Sequence, residues 1–331
     1  MADQKSKVGV LLINLGTPEG TDSKNVRKYL REFLSDRRVI EWPRILWYPI
    51  LYGIVLNVRP KKSGALYKRI WNYELNESPL RTYTRAQAEK LGPLLDEPNV
   101  EVYWAMRYGK PSIDEVLGTM IEKGCEKVLF FPLYPQYSAT TTATVLDAVF
   151  ASLEKRRYQP AIRSVPPYSD DPVYIDALAH SVETHLKTLE FVPEKIIASY
   201  HGIPQSYAKR GDPYPEECVR TTEALRKRLG MDENKLVMAF QSRFGPEEWL
   251  QPYTAATVEK LAKEGVKSIA VFNPGFVVDC LETVDEMGHE AQKTFKENGG
   301  VNFVHIPCLN DSEDGMKVIA HLVKRELQGW I

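Results

Sequence analysis

At 331 residues the chain exceeds one ordinary hydrophobic core and fits two domains of about 150 residues each. Lys and Arg number 43 against 44 Asp and Glu, a formal net charge of -1, so no global field argues for a nucleic-acid partner and a small-molecule task is expected. Cys125, Cys218, Cys280 and Cys308 are scattered without C-x-x-C spacing, which excludes a written zinc module or disulfide framework and leaves reduced cytoplasmic thiols as the expectation.

The opening stretch Met1–Lys7 is polar and carries no apolar run before a small-residue cleavage site, so no secretory leader is expected. Val8–Leu15 reads as a short buried strand ending in Asn14-Leu15-Gly16-Thr17-Pro18. Next comes the longest uncharged apolar run, Ile45–Val58, bounded by Arg44 and Arg59 and interrupted by Pro49 and Gly53. As a straight helix it would reach about 21 Å against a hydrocarbon core of about 30 Å, too short to span a membrane. With Trp42, Trp47, Tyr48 and Tyr52 it reads either as a mouth resting on a membrane surface or as a helix covering the core.

Val102–Met106 is the second strand, leading into Arg107-Tyr108-Gly109, and Lys127–Phe131 the third, preceded by Gly124 and followed by Pro132. The loop Val165-Pro166-Pro167-Tyr168-Ser169-Asp170-Asp171-Pro172 then separates two halves, with Asp171 as a helix N-cap and Pro172 as the first helical residue. The second half repeats the first in order. Lys195–Tyr200 ends in His201-Gly202-Ile203-Pro204, Leu236–Ser242 runs into Arg243-Phe244-Gly245, and Ser268–Phe272 lies between Gly265 and Pro274. Strand, loop and helix in alternation predict parallel α/β sheets, and the ordered matches predict one topology used twice, with domains at 1–168, including an apolar lip at 42–58, and 169–331.

In open parallel sheets ligands sit beyond the carboxyl ends of the strands, so the loops after residues 15, 106, 131, 200, 242 and 272 are where chemistry is expected. No G-x-G-x-x-G, G-x-x-x-x-G-K-[ST], G-x-S-x-G or H-E-x-x-H occurs, which removes the usual nucleotide, hydrolase-elbow and zinc-protease readings. His201 remains, on a loop directly after a strand, either as a base or ligand or as a hydrogen-bonded structural residue.

Five segments together resemble the ferrochelatase family in that family's order: Asn14-Leu15-Gly16-Thr17-Pro18, Met106-Arg107-Tyr108-Gly109, Pro132-Leu133-Tyr134-Pro135-Gln136-Tyr137-Ser138, Phe240–Pro246 with Trp249, and Asp279-Cys280-Leu281-Glu282-Thr283. With Ser199–Pro204 they cover nearly the whole chain, and a cysteine at 280 resembles the proteobacterial form. The resemblance implies two similar Rossmann-like domains, each a four-stranded parallel sheet flanked by helices, with an active-site cleft between them. It implies an enzyme inserting Fe2+ into protoporphyrin IX to give protohaem, with His201 and Glu282 as the catalytic and metal-facing pair.

By the same resemblance Leu15, Tyr67, Tyr134, Ser242, Trp249 and Phe276 line the macrocycle, and Arg59 and Lys62 meet its propionates, although Arg59-Pro60-Lys61-Lys62 also reads as a solvated basic turn. Arg107 closes a strand where it could meet a carboxylate, serve incoming metal chemistry or form a structural ion pair. Glu282, Glu286 and Glu290 recur every four residues on one helical face, a path for iron or protons or a solvated acidic face. Iron is a substrate and no permanent cofactor is implied. Ala139 stands where part of the family has a cysteine and no cysteine follows Cys308, so no iron–sulfur cluster is expected. The competing readings are a coproporphyrin ferrochelatase, a cobalt chelatase acting on a precorrin-type ring, and a module that binds porphyrin without turning it over. Localisation is expected to be cytoplasmic, with peripheral membrane contact through 42–58.

Overall fold

The computed structural model describes residues 6–331; the stretch Met1–Lys7, on which the expectation about a leader rests, lies mostly outside them. The chain forms two compact units. One runs from the start of the described chain through Tyr134, with Ala139–Pro166 and Ile319–Ile331; the other comprises Pro135–Ser138 and Pro167–Val318. The last thirteen residues therefore pack with the first unit, where a single cut at residue 168 had assigned them to the second.

The first unit holds a parallel sheet in the order β2-β1-β3-β4, built from β1 (Val8–Gly16), β2 (Val100–Tyr108), β3 (Lys127–Pro132) and β4 (Ala161–Ser164). The central strands β1 and β3 read as near-continuous apolar runs, Val8-Gly9-Val10-Leu11-Leu12-Ile13 and Val128-Leu129-Phe130-Phe131, because a parallel sheet covered on both faces presents no side to water. Leu11, Ile13 and Phe130 pack against Leu117, Met120, Val145 and Val149 from the helices Ile113–Glu122 and Thr144–Glu154. At Gly16 the strand turns at φ +113°, and a Cβ there would lie 1.8 Å from the Tyr108 carbonyl oxygen, so only glycine fits.

The second unit repeats the order as β6-β5-β7-β8, from β5 (Lys195–His201), β6 (Leu236–Gln241), β7 (Ser268–Phe272) and β8 (Asn302–His305), again all parallel. The correspondence reaches single hydrogen bonds: Met106 N–H donates to the Pro111 carbonyl at 2.7 Å, and Phe240 N–H to the Pro252 carbonyl at 2.8 Å. It places Leu15 and His201 at equivalent positions, since Asn14 pairs with Met106 as Tyr200 pairs with Phe240. The expected duplication of one topology is therefore observed. Asp171 accepts a hydrogen bond from Val173 N–H and Pro172 opens the helix Pro172–Lys187, as the sequence predicts.

Residues Arg44–Ile70 run as consecutive helical segments with a π-helical turn at Leu51–Val55, so Arg59-Pro60-Lys61-Lys62 lies inside a helix and not in a turn. Trp47, Leu51 and Val55 face inward, and Trp47 Nε1 donates to the Leu34 carbonyl at 2.7 Å. Among the described residues no helix is long and apolar enough to cross a membrane.

Candidate active site

In the second unit, the end of β5, the residue after β6 and the helical stretch beyond β7 supply His201, Ser242, Glu282 and Glu286. His201 closes β5, and its Nδ1 lies 2.6 Å from the Gly202 carbonyl oxygen. A carbonyl only accepts, so Nδ1 carries the proton and a neutral ring leaves the Nε2 lone pair available as a base or ligand. The ring stands 6.3 Å from Trp249 and 6.5 Å from Phe276, centroid to centroid, both tilted, so three of the residues selected from the sequence share one aromatic surround. Trp249 Nε1 is buried with no hydrogen-bond partner, a polar atom of the kind that a ligand can satisfy.

Glu282 opens a π-helical stretch, Glu282–Ala291, whose i→i+5 bonding replaces the α-helix that the four-residue spacing predicts; π-helical segments are uncommon and recur at functional sites. Its inner face is buried through Thr283, Met287 and Ala291, of which Met287 and Ala291 pack with Phe295 on Ile197, Ile269 and Val271. Glu286 is clamped at both oxygens: Ser242 N–H donates to Oε1 at 2.7 Å and Ser242 Oγ to Oε2 at 2.5 Å. Ser242 adopts φ +66°, which costs a non-glycine residue about 1–2 kcal/mol, and the two bonds to one carboxylate offset that. Burial pushes the Glu286 carboxyl above its usual range, while the Ser242 hydroxyl and His201 pull it down and Glu282 pushes it up. Glu286 thus senses both His201 and Glu282. Glu290, last of the row, is exposed.

Below these residues lies a buried set of hydrogen bonds that motif reading passed over. Asp279 accepts from Thr283 Oγ1 at 2.9 Å, Asn310 Nδ2 at 2.7 Å and Cys308 N–H at 3.3 Å, which fixes the loop entering Glu282. Gln241, Asn273 and Ser199 form a second cluster. Uncharged amides carry no spacing signal, so only the fold could disclose them.

The residues selected in the first unit have structural engagements of their own. Arg107 forms an ion pair with Asp36 at 2.5 Å and donates through Nε to the Thr144 carbonyl at 2.7 Å, the structural alternative weighed for it. Tyr67 is buried, edge-on to Trp71 at 6.3 Å. Leu15 is half-buried, Lys62 is exposed, and Arg59 is half-buried, with burial drawing its guanidinium below the usual value. The Tyr134 hydroxyl is buried without a partner, and its burial raises its pKa.

Cys280 is buried, and its thiol is pushed well above the usual value by burial and then by the nearby Glu282 carboxylate. A protonated, enclosed thiol is a poor ligand. Cys280→Ala and Cys280→Ser are therefore expected to keep iron insertion within about threefold of the parent; collapse of turnover in both, with porphyrin binding and folding intact, would give the thiol a chemical role.

The fold falls in the class of two-unit parallel α/β chelatases. The SirB protein from Bacillus subtilis, solved with Fe3+, superposes with a TM-score of 0.58 at 12% identity over 96% of this chain and 95% of that one. DR2241 from Deinococcus radiodurans, a multi-domain protein with structural similarity to chelatases, superposes at 0.54 with 11% identity over 96% of this chain and 55% of that one. The ferrochelatase family model matches residues 7–327. Ferrochelatases of Brucella anthropi and Brucella ovis are each 68% identical over 326 residues, covering 98% of this chain and 93% of theirs. The chain belongs to the ferrochelatase family.

Proposed function

We propose that this protein inserts ferrous iron into protoporphyrin IX, releasing two protons and yielding protohaem. Two pyrrole N–H protons must leave as Fe2+ enters, so a base of near-neutral pKa has to reach the ring centre. The observation that carries the reading is the His201 tautomer: with Nδ1–H bound to the Gly202 carbonyl, the Nε2 lone pair is left to accept a pyrrole proton. Imidazole and carboxylate suit ferrous iron, so His201 and Glu282 would first hold the incoming ion; once the ion has passed to the ring, the same His201 Nε2 lone pair would take up a pyrrole proton, which Glu286, within the field of both, would accept and pass on. Leu15, Tyr67, Tyr134, Trp249 and Phe276 would grip the macrocycle in a bent shape that turns its nitrogen lone pairs out of plane. Arg59, Lys62 and Arg107 would serve its propionates, Arg107 only by giving up its bond to Asp36.

Anaerobic mixing with ferrous iron and either protoporphyrin IX or coproporphyrin, followed by the porphyrin absorption spectrum, tests this. Conversion of protoporphyrin at the higher kcat/KM supports the proposal. Preference for coproporphyrin reassigns the substrate, and binding without metal insertion leaves a porphyrin-carrying module.

We further propose that no iron–sulfur cluster resides in this chain; the four scattered thiols support it, and acid-labile sulfide in the isolated protein would refute it. The run 42–58 is read as a membrane-resting mouth in a cytoplasmic protein. Ile45, Leu46, Tyr52, Ile54 and Val58 are all exposed within one short stretch, Ile45 to 83%, which supports that reading. Leu46→Asp combined with Ile50→Asp is expected to lower vesicle association at least tenfold and slow uptake of vesicle-borne porphyrin, with the folded state retained. Unchanged association would return the segment to a covering role.

A further inference from the structure

A base and a carboxylate that act on one metal must keep a fixed separation, yet here they stand on different elements, His201 at the end of β5 and Glu282 at the start of the π-helix beyond β7. Gln241, the last residue of β6, is bonded to the main chain beside both. Its carbonyl accepts the Gly202 N–H at 2.9 Å, adjacent to His201, and its side-chain Nε2 donates to the Glu282 carbonyl at 2.8 Å.

The orientation of that amide is determined from outside. Asn273 Nδ2 donates to the Ser199 carbonyl at 3.0 Å, and a carbonyl can only accept, so the Asn273 oxygen must face the other way, 2.9 Å from His305 Nε2. His305 then donates from Nε2. The second Asn273 N–H points at Gln241, 2.7 Å from Oε1, and Ser199 Oγ donates to the same oxygen at 2.7 Å. With Oε1 so occupied, Gln241 has only its NH2 end to offer Glu282. All of Gln241, Asn273 and Ser199 are buried, so water cannot substitute for a lost partner.

We infer that Gln241 is a positioning residue: it sets the separation and orientation of His201 and Glu282 by holding the backbone of both, and Asn273 decides which end of its amide faces Glu282. This rests on the reading of His201 and Glu282 as the reacting pair. A displaced pair leaves porphyrin binding intact and slows the chemical step, so the effect belongs in kcat.

The test compares Gln241→Met, of similar length but without hydrogen bonds, with Ser199→Ala, which removes a bond from the same cluster and none to Glu282. Gln241→Met is expected to lower kcat at least tenfold with the porphyrin KM within twofold, while Ser199→Ala, similarly destabilised in a denaturant titration, keeps kcat within twofold. Asn273→Asp supplies a second route should Gln241→Met fail to fold. An acceptor at 273 turns the Gln241 NH2 toward itself and sets Oε1 against the Glu282 carbonyl, so kcat should fall at least tenfold with Gln241 intact. Equal kcat losses in Gln241→Met and Ser199→Ala, or losses confined to KM, would overturn the inference, as would full kcat in Asn273→Asp. Glu282→Gln separates the two levels. If it loses turnover while Gln241→Met and Asn273→Asp keep it, the positioning role alone fails; if Glu282→Gln itself keeps turnover, the reading of the reacting pair fails.

Discussion

His201→Ala is expected to lose iron insertion by about 10²–10⁴-fold, the range that a positioned general base supplies, and more if the imidazole also ligates the ion. The reason is local. The Nδ1–H bond of the ring to the Gly202 carbonyl leaves the Nε2 lone pair to accept a proton. The side chain is only partly buried at the end of β5, so its removal is expected to cost the fold little, and the neighbouring Trp249 and Phe276 rings, proposed to contact porphyrin, remain in place. Steady-state insertion rates together with porphyrin fluorescence quenching check both halves. A variant that retains more than about a tenth of parental turnover would move the base elsewhere.

Asp279→Ala is expected to cost about 2–4 kcal/mol in the stability of the second unit, a large effect for one side chain. Asp279 is 6% exposed and is the shared acceptor for Thr283 Oγ1, Asn310 Nδ2 and the Cys308 N–H. Alanine leaves those buried donors facing a space that cannot accept. Thr283 retains a second acceptor in the Cys280 carbonyl at 3.3 Å, which keeps the loss below the sum of three bonds. Because the loop it braces leads directly into Glu282, turnover should fall along with stability. Denaturant unfolding followed with a probe in the second unit measures the first effect, and a loss under about 1 kcal/mol would show that the loop is braced by other contacts.

Much of the architecture was legible because it is written in local, periodic terms. Strands such as Val8–Gly16 and Ser268–Phe272 are buried on both faces, so they appear as apolar runs, and the glycine and proline after each mark where the chain leaves the sheet. Repetition of those signals in the same order disclosed a duplicated topology, and Asp171-Pro172 disclosed a helix start, since an N-cap acts within three residues of itself. Other elements gave no such signal. The edge strands β4 and β8 are only four residues long and partly exposed, without an apolar run, and they exist because β3 and β7 offer them a partner.

The site divides along the same line. By itself the sequence determined, through the ordered motifs, the family to which the chain belongs, and it singled out His201 and Glu282 as the groups proposed to react. Tertiary structure decided what those groups can do. It engaged Arg107 with Asp36, turned the predicted α-helical row of glutamates into a π-helix, clamped Glu286 on Ser242, and carried the last thirteen residues back to the first unit. It also set the proton on His201 Nδ1 and aligned the Gln241 amide through Asn273. The Arg107–Asp36 pair, the Ser242–Glu286 clamp and the Asn273–Gln241 bond each join a donor to an acceptor tens of residues away along the chain, and no periodicity or local propensity records that.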